Sequence, residues 1–396
     1  MNNNEKLFNR NFLILSAASL VTFIAFYLMM PIIAMYVVDT FNADTSTAGV
    51  VAAAYIITAL LTRPFSGYLV DKYDRRRFYL LVLTLFAILF AGYILSTSIT
   101  QLIITRILLG ASFSLVTTAA NTLSIDVIPS SRRAEGIGYY GAIIVLAMAV
   151  GPMLGLYLIE VFSYANLFIF ATSCAWAGVI VALFIKTKPR KAVIHEPMSL
   201  DRFFLRDALS MAIVVSLLYF MYGTLMVYVS LYVRESGLNI NSGNFFLLFA
   251  CGIIISRMLS AKLLRQGKHN ETLVGGITTI ICAGALFTLL LTNFTLPIAS
   301  ILLGLGFGFI APAIQAMIID LVPARRRGTA NSTYFIALDL GSGLGMLIGG
   351  AIAHLSNYKT LYLIGMALAT ISLLFYLLYA RKDYARRLAA ADKSEC

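Results

Sequence analysis

Of the 18 acidic residues, Asp339 alone lies deep inside a long apolar stretch, about ten residues from its nearer charged end. A charge at that depth costs roughly 2.5–3.5 kcal/mol to insert into a bilayer, so the group must face a wet cavity or a partner. Such a carboxylate suits the binding and release of a proton; a static buried pair, or a hydrogen bond to polar neighbours, is the structural alternative. Three cations share the apolar stretches: Arg63, Arg106 and Arg257. Arg106 is the candidate opposite charge or substrate contact. Arg63 and Arg257 lie one to two turns from charged ends, where long side chains reach the headgroups. Tyr27, Asn121, Tyr219, Tyr222, Gln315 and Tyr334, on the first, fourth, seventh, tenth and eleventh stretches, are candidates to meet at the midplane and line a cavity, although tyrosines also serve as interfacial anchors and packing residues. The four cysteines and three histidines are scattered, so neither a disulfide framework nor a metal site is indicated. No nucleophile stands beside a base and no phosphate-cradling loop is visible, which leaves an enzyme the poorest reading and implies no cofactor.

The elements that carry these residues are twelve apolar stretches, at roughly 12–38, 45–70, 78–97, 101–125, 136–158, 165–185, 207–232, 243–261, 272–292, 296–319, 329–354 and 358–380. About 20 apolar residues span the hydrocarbon layer as a helix. With 60% hydrophobic and 12% charged residues, the chain reads as an all-α membrane protein with twelve transmembrane helices. If the N-terminus is cytoplasmic, 25 of the 30 Lys and Arg fall on that side, two (Arg234 and Lys359) fall outside, and three lie within spans. The positive-inside rule then predicts a multi-pass protein of the cell membrane with both termini in the cytoplasm. The net charge of +12 follows from these loops and does not point to nucleic acid. The N-terminal residues do not read as a cleaved signal, because the apolar run is too long and lacks a small-residue cleavage site.

The two halves match at a constant offset of 194 residues. Arg63 aligns with Arg257, Ser66 with Ser260, Gly110 with Gly304, Phe113 with Phe307, Asp126 with Asp320, Pro129 with Pro323, and Gly151 and Gly155 with Gly345 and Gly349. Two six-helix halves of this kind form a pseudo-symmetric pair with a site between them near the midplane. The expected organisation is a bundle over 1–185, a cytoplasmic linker over 186–206, a second bundle over 207–380 and a tail over 381–396. Leu200, Phe203 and Phe204 suggest a short surface helix in the linker.

After the second span, Gly67-Tyr68-Leu69-Val70-Asp71-Lys72-Tyr73-Asp74-Arg75-Arg76 resembles the loop signature of the major facilitator superfamily, with Asp74 where a second glycine is usual. Leu102, Arg106 and Gly110 have the spacing of a second motif of that family, with Leu109 in place of its common glutamine. Gly138, Gly151-Pro152 and Gly155 resemble the antiporter motif, with Ala147 and Leu156 replacing two of its glycines. The resemblance implies the major facilitator fold and a secondary transporter working by alternating access, most similar to the drug/proton antiporter-like exporters. It implies that Asp71, facing the helix start near Gly328, clasps the cytoplasmic side. In the same gating region Gly67 lets the second span approach a neighbour closely and Asp126 is placed to pair with Arg75 or Arg76, the alternative being charges that only anchor loops and fix topology. Gly151, Pro152 and Gly155 are then gating elements, or simply close packing. With 14 Met, 26 Phe and 21 Tyr an adaptable apolar pocket fits a small amphiphilic organic substrate. Asp339 is the proton-coupling candidate, a proton gradient the energy source and a monomer the expected state. Many antiporters of this type carry an acid in the first span, whereas none occurs here before Asp39. The rivals are a proton symporter or uniporter importing a sugar or organic anion, and a non-transporting membrane receptor.

Overall fold

The computed structural model describes residues 7–129, 132–187, 204–238, 240–322 and 327–395. Its helices are α1 (Arg10–Phe41), α2 (Thr45–Lys72), α3 (Arg75–Phe90), α4 (Gly92–Leu95), α5 (Ile99–Val127), α6 (Arg133–Leu158), α7 (Tyr164–Leu183), α8 (Leu209–Glu235), α9 (Gly243–Arg265), α10 (His269–Leu289), α11 (Thr295–Asp320), α12 (Arg327–Leu355), α13 (Tyr358–Phe375) and α14 (Arg381–Glu395). No strand occurs among the described residues. Among the described residues twelve segments are long and apolar enough to cross a membrane, in agreement with the all-α reading.

The polar turns between spans hold the caps. Asn9 accepts from Phe12 N at 3.0 Å, Asp44 from Thr47 N at 2.6 Å, Asp74 from Arg77 N at 2.9 Å and Asn357 from Thr360 N at 2.7 Å. Each satisfies an amide that the first helical turn leaves without a partner. Asn42, at φ 49°, closes α1 in the left-handed conformation that asparagine tolerates. The helices therefore run past the apolar windows to the nearest cap. The expected third span is interrupted instead: Ala91 N bonds back to Ile88 O, and α4 resumes at Gly92.

The chain divides into two compact units, one of Met1–Asn42 with Ala54–Glu196, the other of Ala43–Ala53 with Pro197–Cys396. In the first, α1 packs on α6 and α7, and α3 on α5 and α7. Its core is aromatic: Phe26 stacks on Phe113 at 3.6 Å between ring centroids, and Phe23 and Phe86 meet the same ring edge-on or tilted. In the second, α8 packs on α12 and α13, α10 on α11 and α13, and α9 on α11. Here the first turns of α2 lie against α12, with Thr45 Oγ1 donating to Gly350 O at 3.2 Å.

Each unit repeats the other internally. A Cβ on Gly110 would collide with Tyr55 O across α5 and α2, and one on Gly304 with Phe249 O across α11 and α9. Both pairs are related by the 194-residue offset, so a glycine holds open the same helix crossing twice. Outward-facing Ile254, Ile255, Met258 and Leu259 form an exposed apolar stripe on α9. Such a stripe is stable against acyl chains and unfavourable against water.

The linker residues Leu200 and Phe203 lie outside the described residues, as does Pro323 of the repeat. At the linker's end, Leu205 N donates to Thr333 Oγ1 at 2.7 Å. The tail α14 is tied to α8 by Asp383, which accepts from Ser210 Oγ at 2.8 Å and from Arg386 and Arg387 at 2.7 and 3.0 Å.

Candidate functional site

In the first unit α5 places Arg106 wholly inside the bundle, at 0% exposure. Its guanidinium lies over the Tyr55 ring at 4.6 Å, donates to Tyr93 Oη at 3.2 Å and approaches Met30 Sδ at 3.9 Å. Burial of a guanidinium demands such partners, and cation–π attraction strengthens where water is excluded. Residues from α1, α2 and α4 thus hold the cation of α5. Tyr27 packs edge-on against Phe26 and Phe113 and flanks Gly151 of α6. Asn121 is half-buried farther along α5, its carbonyl accepting from Ser124 Oγ at 2.7 Å.

Gly151 and Gly155 bring α6 onto the α1 backbone, where added methyls would stand 2.8 Å from Leu28 N and 2.9 Å from Leu28 O. Pro152 between them is buried within the helix. Gly341 and Gly345 do the same for α12 against Ser216 and Phe220 of α8. At the charged end of the unit, Asp126 pairs with Arg75 at 2.7 Å, while Arg76 donates to Leu183 O at 3.2 Å. Gly67 and Asp71 belong to α2, but their surroundings, like those of Gly328, lie outside what is described.

The second unit gathers a different set. Tyr219 and Tyr222 of α8 meet at 5.4 Å between ring centroids, and both pack on Phe307 of α11, at 5.7 and 5.4 Å. Phe249 of α9 closes the cluster against Tyr222 and Phe307. Tyr334 of α12 joins it through a 3.3 Å contact between its hydroxyl and that of Tyr219. Gln315 Nε2 donates to Asn331 Oδ1 at 2.6 Å, from α11 to the turn of α12 before Tyr334. Arg257 of α9 lies within electrostatic reach of both Tyr219 and Tyr334. Asp339 is half-buried on α12, five residues beyond Tyr334.

Three sequence candidates, Tyr219, Tyr222 and Tyr334, are therefore brought together, and Gln315 is placed beside them through Asn331. Met30, Tyr55, Tyr93, Phe249 and Asn331 escaped the sequence reading. Phe249 had a signal, since it is the repeat partner of Tyr55, and Phe307 was already marked as the partner of Phe113. No spacing rule links Tyr93 or Met30 to Arg106, because they meet through packing of separate helices. No group of His, Cys, Asp or Glu among the described residues is arranged to hold a metal.

The Major Facilitator Superfamily model matches residues 15–303 and 283–395. The quinolone resistance protein NorA of Staphylococcus aureus (strain MRSA252) is 23% identical over 379 residues, covering 92% of this chain and 95% of that protein. The staphylopine export protein of S. aureus (strain Mu50 / ATCC 700699) is 22% identical, covering 85% and 88%. Among solved structures, the nucleoside transporter NupG superposes with a TM-score of 0.75 at 15% identity, covering 93% of this chain and all of that one. With twelve apolar helices, an internal repeat present in sequence and in packing, and a family model spanning nearly its whole length, this chain belongs to the major facilitator superfamily of membrane transporters.

Proposed function

We propose that the protein is a proton-coupled exporter that moves small amphiphilic organic compounds by alternating access. The observation that carries the substrate class is the aromatic cluster of Tyr219, Tyr222, Phe249, Phe307 and Tyr334, edged by Gln315, Asn331 and the Arg257 charge. Flat apolar faces with a few hydroxyl and amide groups bind amphiphiles by stacking and leave orientation to the polar edge. Export is supported by the relatives, one named for quinolone resistance and one for staphylopine export. The excess of Lys and Arg on one side supports cytoplasmic termini.

Asp339 is the proton site in this reading. Protonation there favours one conformer, and substrate shifts the equilibrium by its own differential affinity for the two states. Each pH unit across the membrane is worth about 1.4 kcal/mol per proton, a tenfold accumulation. Arg106 acts from within the first bundle as a fixed positive charge held by Tyr55 and Tyr93.

The test uses proteoliposomes with an acidic lumen, a luminal pH dye and a panel of amphiphilic compounds outside. Wild-type protein should raise luminal pH as compound enters, and Asp339→Asn should insert and bind compound without moving protons. Proton flux of Asp339→Asn at the wild-type rate would remove Asp339 from the mechanism. Compound and protons travelling in the same direction would replace export by symport.

A further inference from the structure

At the charged end of the first unit, beyond the proposed transport residues, the ends of α1, α5 and α7 and the turn before α3 enclose a cavity of about 720 Å³. Arg10, Arg75, Arg76, Lys186, Asp74 and Asp126 supply its charges, four positive against two negative. Both carboxylates are already engaged: Asp126 pairs with Arg75 at 2.7 Å, and Asp74 caps α3 through Arg77 N at 2.9 Å. Arg10, Arg76 and Lys186 have no carboxylate partner among the described residues. Arg76 Nε is buried and meets no acceptor, although Nη2 of the same group donates to Leu183 O at 3.2 Å. A buried guanidinium nitrogen without an acceptor is costly unless an external oxygen supplies it.

The walls are built rather than incidental. Asn9 Nδ2 donates to Val127 O at 2.7 Å, holding the start of α1 on the end of α5. Asn11 bonds Lys186 in both directions, Nδ2 to its carbonyl at 2.6 Å and Oδ1 from its amide at 3.0 Å. This clamp fixes where Lys186 leaves the end of α7. Around it, Phe8, Leu183 and Phe184 are 52%, 55% and 58% exposed. Large apolar side chains beside a basic cavity at the ends of membrane helices match a molecule with an anionic head and apolar tails. A free phosphate ion would use only the cations.

We propose that this cavity binds the phosphodiester headgroup of an anionic phospholipid in the leaflet facing this end of the bundle, with Arg10, Arg76 and Lys186 as its charge ligands and Leu183 and Phe184 against the acyl chains. Basic pockets between membrane helices recognise such headgroups, and each Lys or Arg near the surface contributes about fivefold to affinity. The site shares Arg76 with the expected gating region but uses none of the residues proposed for substrate or protons, and it stands whichever direction the transporter runs.

The chain has a single tryptophan, Trp176, on α7, about 10 Å along the helix from Leu183. Purified full-length protein in phosphatidylcholine nanodiscs is titrated with phosphatidylglycerol carrying brominated acyl chains, and quenching of Trp176 is read. Wild-type protein should quench at low mole fractions of phosphatidylglycerol, and the Arg10→Gln/Lys186→Gln double variant should need roughly 25-fold more. The charge-conserving Arg10→Lys/Lys186→Arg variant should keep the wild-type curve, which separates loss of charge from loss of fold. Lys262→Gln/Arg265→Gln, an equal loss of two charges at exposed positions of the second unit, should leave it unchanged. The proposal fails if the Arg10→Gln/Lys186→Gln variant quenches like wild type, or if Lys262→Gln/Arg265→Gln weakens quenching equally, which would mean diffuse attraction. It also fails if soluble glycerol phosphate or inorganic phosphate displaces the lipid, because the cavity would then serve a soluble anion.

Discussion

Replacing Gly110 by alanine tests the helix crossing on which each bundle depends. The added methyl would lie less than 3.0 Å from Tyr55 O, whereas ordinary contact begins at 3.4 Å, so α5 and α2 must part by more than 0.4 Å. Overpacking of a rigid contact costs about 1–3 kcal/mol. Parting also stretches the 2.6 Å bond from Thr58 Oγ1 to Ile107 O, worth about 0.6 kcal/mol between membrane helices. Alanine returns up to about 1 kcal/mol of helix propensity over glycine. The net expectation is a loss of about 0.6–2.6 kcal/mol. Gly304→Ala should lose slightly less, because Gly252 stands where the first unit has Thr58. Gly141 and Gly275 meet no atom within 4 Å of an added methyl, so alanine there should be neutral or should stabilise by up to about 1 kcal/mol. A unit of this size shifts about 2–4 °C per kcal/mol. Gly110→Ala should therefore melt roughly 3–14 °C below Gly141→Ala. Size-exclusion chromatography of heated, detergent-solubilised protein reads the difference. Equal melting of all four variants would mean that the glycines do not set the crossings, and the argument from the repeat would fall.

Tyr55→Leu removes the aromatic face over Arg106 and keeps an apolar volume, so a loss of about 2 kcal/mol is expected for the desolvated cation–π contact; unchanged melting would show that other partners suffice to hold the guanidinium. The Asp44 carboxyl is held below its ordinary value of 3.8, first by the hydrogen bond from Thr47 N, with His354 adding a smaller favourable charge. A lowered folded value contributes stability that is complete above the ordinary carboxylate range and is lost as pH falls through it toward the folded value. Asp44→Ala should therefore cost about 1 kcal/mol at pH 7 and progressively less below about pH 4, read as a shrinking difference in melting temperature; a difference independent of pH would rule out the charged cap.

The membrane class, the twelve helices and the duplicated halves are legible in the one-dimensional pattern because each is local or periodic. Twenty apolar residues form a helix in lipid whatever their neighbours, since every backbone group must be satisfied within the segment. The fixed offset likewise foretold that Gly110 and Gly304 occupy equivalent places, and at each the backbone carbonyl of the facing helix, Tyr55 or Phe249, stands where an added methyl would go. Caps such as Asn9 and Asp44 set where each helix starts, and they too lie within three residues of the amides they serve.

The partners of the charges are another matter. Arg106 reads in sequence as a group for a cavity, yet its companions include Tyr93 on α4, Tyr55 on α2 and Met30 on α1, at separations no motif prescribes. Arg76 reads as part of a clasp, and the fold leaves its Nε buried beside a basic cavity closed by Asn9, Asn11 and Lys186. Tyr219 and Tyr334, 115 residues apart, share a hydrogen bond because α8 and α12 are pressed together by glycines. Contacts of this kind depend on which helix faces which, and that is decided by long-range packing rather than by the residues along any one span.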